Sequence, residues 1–220
     1  MDEFVNSSII EAKERIKQSI SKDVIIIFFT RLLEDLKKNP NSDVFGRVME
    51  IYYFFKPYKK ANKTEIYDFF TSKLDQSEGL ILDEYEKKYF QIIFSEINPN
   101  YKFKNGQIMK GRIKGMLDKI TLKYLPNTSK ITNSYIIGKL ICSMGGLANL
   151  VIKPSSTIQL IGSEKSLFRH KRINSKPPKY GLLYYTEEVQ KSKNKGKTAR
   201  QIANKLSIAI KQDYYHNFAR

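Results

Sequence analysis

The chain has 220 residues, of which 41% are hydrophobic, with one cysteine and a formal net charge of +17. That hydrophobic fraction excludes a disordered chain, and the lone Cys142 excludes an intrachain disulfide and points to a reducing compartment. The charge favours polyanions, nucleic acid ahead of an anionic membrane surface.

Residues 8–38 read as one long helix. Ser8 followed by Glu11 fits a capping box, and Ile9, Ala12, Ile16, Ile20, Val24, Ile27 and Leu32 recur at three- and four-residue steps. From Val24 to Phe29 the apolar stripe widens to the whole circumference, so this stretch must be covered on several sides, in a bundle or by partner helices. At about a third of a membrane span, it predicts no crossing. The acidic start Met1-Asp2-Glu3 does not read as a secretory signal, and a soluble intracellular protein is expected.

Pro40 ends the first helix. Further helices are predicted over residues 43–55, stopped by Pro57, and over 64–74 and 83–97, closed by Pro99. Short polar links separate them, so residues 1–106 read as antiparallel helices forming a coiled-coil or bundle arm, with their Tyr and Phe residues as core. Residues 107–124 form another helix, broken at Pro126-Asn127. Residues 134–143 follow and end at Gly145-Gly146, where a left-handed C-terminus is expected. Leu147 to Ile152 is short and apolar, and Pro154-Ser155-Ser156-Thr157 reads as a cap region. Residues 172–181 hold two prolines and a closing glycine and read as a loop. Residues 197–211 are a final amphipathic helix with Ala199, Ile202, Ala203, Leu206 and Ile210 on its apolar face. The fold class is all-α, with a helical domain over 1–106 and a second, mostly helical domain over 107–220.

The charge is not evenly spread, as a lysine-rich codon bias would make it. Residues 101–220 hold 24 of the 39 basic side chains but 5 of the 22 acidic ones. That half therefore carries about +19 and the first hundred residues about −2, an asymmetry that marks the second half for nucleic acid.

Catalysis finds little support. His170 and His216 lie far apart, no pair has zinc-ligand spacing, and neither a phosphate loop nor a dinucleotide fingerprint occurs. Cys142, within an apolar stretch, reads as a buried structural thiol. Glu187-Glu188 reads as a solvated turn. No enzyme, metal or cofactor is predicted, and a nuclease is the weakest alternative because the carboxylate or histidine cluster it needs is missing.

The basic residues concentrate in three places: Lys165, Arg169, His170, Lys171 and Arg172; Lys176 and Lys179 in the proline loop; and Lys191, Lys193, Lys195, Lys197 and Arg200. The last group opens a helix, whose N–H groups and dipole also favour phosphate, and Gly196 would allow close backbone approach. Pro177-Pro178 stiffens the loop that presents Lys176 and Lys179.

These clusters sit inside motifs that resemble a known family. Gly162-Ser163-Glu164-Lys165-Ser166-Leu167-Phe168-Arg169-His170 closely resembles the signature of the Nop-domain family. Ser143-Met144-Gly145-Gly146-Leu147 and Pro154-Ser155-Ser156-Thr157-Ile158-Gln159 match flanking motifs upstream. Pro177-Pro178-Lys179-Tyr180-Gly181 and Lys195-Gly196-Lys197-Thr198-Ala199-Arg200 do so downstream, all in order. Ser21 to Ile26 and Arg47 to Tyr52 resemble the coiled-coil helices of archaeal Nop proteins more loosely. Ser163, Tyr180 and Ile51 depart from the common Ala, His and Trp.

The resemblance implies a scaffold of box C/D ribonucleoproteins. Such a scaffold binds guide RNA with a kink-turn together with a small kink-turn-binding protein, and supports guide-directed 2′-O-methylation of rRNA or tRNA by fibrillarin. It also implies homodimers or partner helices through residues 8–100. The fibrillarin-docking domain of the family would precede the start of this chain, so either a separate polypeptide is expected to supply it or fibrillarin contact is indirect. Phosphate contacts are expected from Lys165, Arg169, Lys176, Lys179, Lys197 and Arg200. His170 would bond or stack at the stem end, Tyr180 would stack on a base or sugar, Glu164 would orient basic side chains or accept from a base, and Gly162 would serve backbone geometry. Leu167 and Phe168 read as core. An archaeal source places the protein in the cytoplasm, a eukaryotic one in the nucleolus. The competing reading is a spliceosomal-type or other RNA-processing Nop-domain adaptor that does not act with fibrillarin.

Overall fold

The computed structural model describes residues 10–12, 14–15, 20–57 and 59–217. Among these residues there is no strand, only an isolated bridge between Ile97 and Phe103, so the all-α expectation holds. None of their helices is long and apolar enough to cross a membrane. The chain forms two compact units: residues up to Val24 with Arg31–Ile113, and Ile25–Thr30 with Lys114–Arg220.

The first unit takes the C-terminal part of α1 (Asp23–Lys38), then α2 (Phe45–Phe55), α3 (Lys63–Ser72), α4 (Glu84–Ser95) and the start of α5 (Gly106–Tyr124). Asp23 in the first turn of α1 and Lys37 and Lys38 in its last complement the helix dipole. α2 buries Val48, Ile51, Tyr52 and Phe55, spaced as one helix face. α3 and α4 each open on a full capping box, Asn62 with Glu65 and Asp83 with Glu86. The core is aromatic: Phe55 meets Phe70 and Phe90 edge-on at 5.6 and 5.4 Å, and Phe70 stacks on Phe94. The Tyr and Phe residues of this half are thus mostly core, as their spacing implies.

The single helix predicted over residues 8–38 is interrupted. Residues 20–22 are not helical and α1 begins at Asp23. The non-helical stretch coincides with a tertiary anchor: the Lys22 ammonium donates to the Ile81 carbonyl and, at 2.9 Å, to the fully buried Glu86 carboxylate. The Ser8 side of the predicted capping box and the Ile9 and Ile16 positions lie outside the described residues.

The second unit contains residues 25–30 of α1, the rest of α5, α6 (Pro126–Ser129), α7 (Ser134–Met144), α8 (Leu147–Val151), α9 (Ser155–Leu160), α10 (Glu164–Ile173), α11 (Glu187–Lys191) and α12 (Lys195–Asn217). Ile25, Ile26 and Phe29 are fully buried, which accounts for the all-round apolar stretch. Here α1 runs against α7: a Cβ on Gly138 would stand 2.0 Å from Thr30 Oγ1. Cys142 lies on the same side, its Sγ 3.9 Å from the Ile27 carbonyl oxygen, and is half-buried where a buried thiol is expected from the sequence. Gly145 ends α7 in the left-handed region at φ 73°, as its position predicts.

α12 is the spine of this unit. It buries Ala199, Ile202, Ala203, Leu206, Ala209 and Ile210, and on the same stripe Asp213. The Asp213 carboxylate accepts from the Asn127 and Thr128 backbone N–H groups (3.1 and 2.8 Å), from Asn127 Nδ2 (2.9 Å) and from Thr128 Oγ1 (2.7 Å). It therefore caps α6 from 85 residues away and fixes the register of α12.

Candidate nucleic-acid interface

α10 begins where the backbone turns at Gly162, which holds φ 87°. A Cβ there would lie 2.7 Å from Leu182 Cγ, so Gly162 serves geometry in both respects. Glu164 folds back to accept the Gly162 N–H at 2.7 Å. This carboxylate oxygen engages the turn. Ser163 Oγ donates to the Leu160 carbonyl at 2.6 Å. α10 ends at Asn174, left-handed at φ 50°, a conformation Asn tolerates better than most residues.

α10 buries none of its residues. Lys165, Phe168, Arg169 and Arg172 fall at steps of three and four along one face, and all four are exposed. Phe168 is 61% exposed and Ile173 69%. The expectation that Phe168 is core is overturned, and Leu167 is half-buried. An aromatic between cations fits both short apolar spacing in a helix and a surface role. Spacing alone cannot separate the two, because a face is apolar by sequence before anything decides what covers it.

The proline loop follows. Pro177 and Pro178 have no N–H, so this stretch cannot tie itself into a ladder. Side chains and backbone from α9 and α10 hold it instead. His170 Nδ1 pairs with the Ser175 carbonyl. Gln159 Nε2 donates to the Lys179 carbonyl at 2.6 Å, and the Gln159 backbone oxygen accepts from Gly181 at 2.9 Å. Leu182 N–H reaches the Ile161 carbonyl at 2.7 Å. The approach at Gly181 is so close that a Cβ would stand 1.9 Å from that same oxygen.

The third cluster meets this loop. A Cβ on Gly196 would lie 3.4 Å from both Cβ and Cδ of Lys179, so the Lys179 stem lies along the first turn of α12. Tyr180 stacks on Tyr184 at 5.1 Å, and Lys195 sits over the Tyr184 ring at 5.1 Å. One face of Tyr180 is thus already taken within the chain. Asn194 caps α12, its Oδ1 accepting from Lys197 N–H at 3.2 Å, and Ser192 and Thr198 hydroxyls pair at 2.6 Å.

All three basic clusters are therefore connected through one loop: His170 ties it to α10, Gln159 to α9, and Lys179 and Tyr180 to the start of α12. Lys165, Arg169, Lys176, Lys179, Lys197 and Arg200 are all exposed. Among the described residues none of these six forms an ion pair within the chain, whereas Lys191 pairs with Glu187 at 3.0 Å. Such a group of uncompensated cations suits a phosphate backbone. Among the described residues no group of His, Cys, Asp and Glu could hold a metal ion. Glu187 and Glu188 are exposed and open the one-turn helix α11.

Sequence reasoning gave Gln159 and Asp213 no role. An acid on an otherwise apolar helical stripe was the available signal for Asp213. For Gln159 no signal existed, since its partner is a backbone carbonyl.

The Nop family profile, described as "snoRNA binding domain, fibrillarin", matches residues 63–219. A NOP5 family protein of Methanocaldococcus jannaschii is 30% identical over 228 residues, covering 90% of this chain and 53% of that protein. Nucleolar protein 56 of Saccharomyces cerevisiae is 41% identical over 92 residues, covering 41% of this chain and 18% of its own length. Among solved structures, the crystal structure of a fibrillarin/NOP5P complex aligns with a TM-score of 0.49 and 19% identity, covering 97% of this chain and 67% of that one. The chain spans about half the length of the NOP5 relative and under a fifth of the nucleolar protein. Since the family profile covers most of the chain and includes all three basic clusters, the chain belongs to the Nop family.

Proposed function

We propose that this chain is a non-enzymatic scaffold of a box C/D-type ribonucleoprotein. In this reading, residues 107–220 form the RNA-binding domain and residues 1–106 a helical arm that pairs with a second copy or with partner helices. The observation that carries the reading is the exposed face of α10, with Phe168 between Lys165, Arg169 and Arg172, joined through the proline loop to Lys179 and the start of α12. The cations suit phosphates, and the exposed Phe168 and Ile173 suit an apolar patch on a protein. A composite of kink-turn RNA and a small kink-turn-binding protein offers both. In such a particle the scaffold supports 2′-O-methylation of rRNA or tRNA that the guide RNA directs, with fibrillarin carrying the chemistry. It works in the cytoplasm of an archaeal cell or the nucleolus of a eukaryotic one.

The test is a pull-down of the tagged chain from its native cells, with sequencing of the bound RNA. Box C/D guide RNAs, the small kink-turn-binding protein and fibrillarin are expected in the eluate. Recovery of spliceosomal RNA without fibrillarin would replace this reading with the adaptor one.

A further inference from the structure

The proline loop carries two of the cationic groups of the interface, yet its prolines deprive it of backbone donors. Its position depends on side chains that reach it from neighbouring helices. One of these is Gln159. Its amide, nearly buried, donates to the Lys179 carbonyl at 2.6 Å. Its own backbone oxygen accepts from Gly181 at 2.9 Å, so a single residue grips the loop on both sides of Tyr180. Lys179 is the residue whose stem lies on Gly196 at the opening of α12, and Tyr180 is the ring stacked on Tyr184. Moving the Lys179 carbonyl moves both.

We propose that Gln159, itself without an RNA contact, is a positioning residue of the RNA interface. Through the Lys179 carbonyl it holds the loop in its binding conformation before RNA arrives. The proposal rests on the RNA-binding reading given above. Its physical content is preorganisation: a loop held in place before binding loses less conformational freedom when it binds.

A double-mutant cycle on the full chain tests it, with a kink-turn RNA hairpin already bound by the small kink-turn-binding protein as probe. Gln159→Met keeps the side-chain volume and removes the donor. Losing one such bond is expected to weaken RNA binding about fivefold, the range set by a single hydrogen bond to backbone. Lys179→Met removes the cation that Gln159 places. In the Lys179→Met background, Gln159→Met should then cost less than twofold, because the two act through one element. Amide exchange at Gly181, measured without RNA, should quicken in Gln159→Met while exchange in the middle of α12 stays unchanged. A residue that only stabilised the fold would instead speed exchange throughout the second unit.

Full, additive losses in both backgrounds would overturn the proposal, as would unchanged binding in Gln159→Met. If Gln159→Met melts too early for the cycle to be read, Gln159→Asn, which keeps the amide but not its reach, takes its place with the same expectations. Failure of the wild-type chain to bind the probe at all would sink the RNA-binding reading itself, a result distinct from an additive cycle.

Discussion

The stability of the second unit should hinge on Asp213. Replacing it with Ala removes the acceptor for four hydrogen bonds, to Asn127 N, Asn127 Nδ2, Thr128 N and Thr128 Oγ1. Asn127 is half-buried, and water can take over its donors. Thr128 is fully buried, so its N–H and hydroxyl would be left without partners. Orphaned buried donors cost about 1–3 kcal/mol each. For the two on Thr128 the expected loss is about 2–6 kcal/mol, a large part of the roughly 5–15 kcal/mol that holds a typical domain together. In urea, with a slope of about 2 kcal/mol per molar, the midpoint of the second unit should fall by about 1–3 M. Tryptophan is absent, so far-ultraviolet circular dichroism is the suitable probe. A loss below about 1 kcal/mol would mean that the four bonds contribute no more than their exchange with water, and that Asp213 does not hold this unit together.

Three further outcomes follow from the same structure. Arg169→Ala should leave thermal unfolding unchanged, weaken RNA binding, and lower the slope of log affinity against log salt by about one; a variant that unfolds would make Arg169 structural. Phe168→Ala should change stability by no more than about 0.5 kcal/mol, since the ring is 61% exposed, yet weaken assembly on partner-bound RNA; a large drop in melting temperature would return Phe168 to the core. Tyr101 is buried, which pushes its phenol up to about 12, and its hydroxyl donates to the Lys63 carbonyl. Because the folded state holds this proton more tightly than the unfolded one, the stability it contributes is complete below about pH 10 and is lost as pH rises toward 12. Tyr101→Phe should reduce that alkaline loss in pH-dependent urea melts, and an unchanged profile would count against it.

Much of the architecture was legible in the residues. The helices at 45–55, 84–95, 106–124 and 134–144 follow apolar periodicity bounded by prolines, glycines and caps, which are local signals. The left-handed Gly145 was readable for the same reason. The break at residues 20–22 was not, and neither was the anchor beside it, where Lys22 reaches Ile81 and Glu86 some sixty residues away. Within the candidate interface, charge and motif order identified the three clusters. Their connection was out of reach, since it runs through backbone carbonyls of Ser175 and Lys179 that no residue letter encodes. Phe168 was misread because periodicity marks an apolar face and is silent on whether the chain itself covers it.

In the proposed function, the clusters on α10, the proline loop and α12 act together as one surface for RNA joined to a small protein. A gel-shift titration of the full chain against a kink-turn RNA, with and without the small kink-turn-binding protein and at several salt concentrations, tests it most directly. The expected shift requires the small protein and weakens steeply with salt, as counterions released from several phosphates return to the RNA. Tight binding that is indifferent to both the small protein and salt would contradict it.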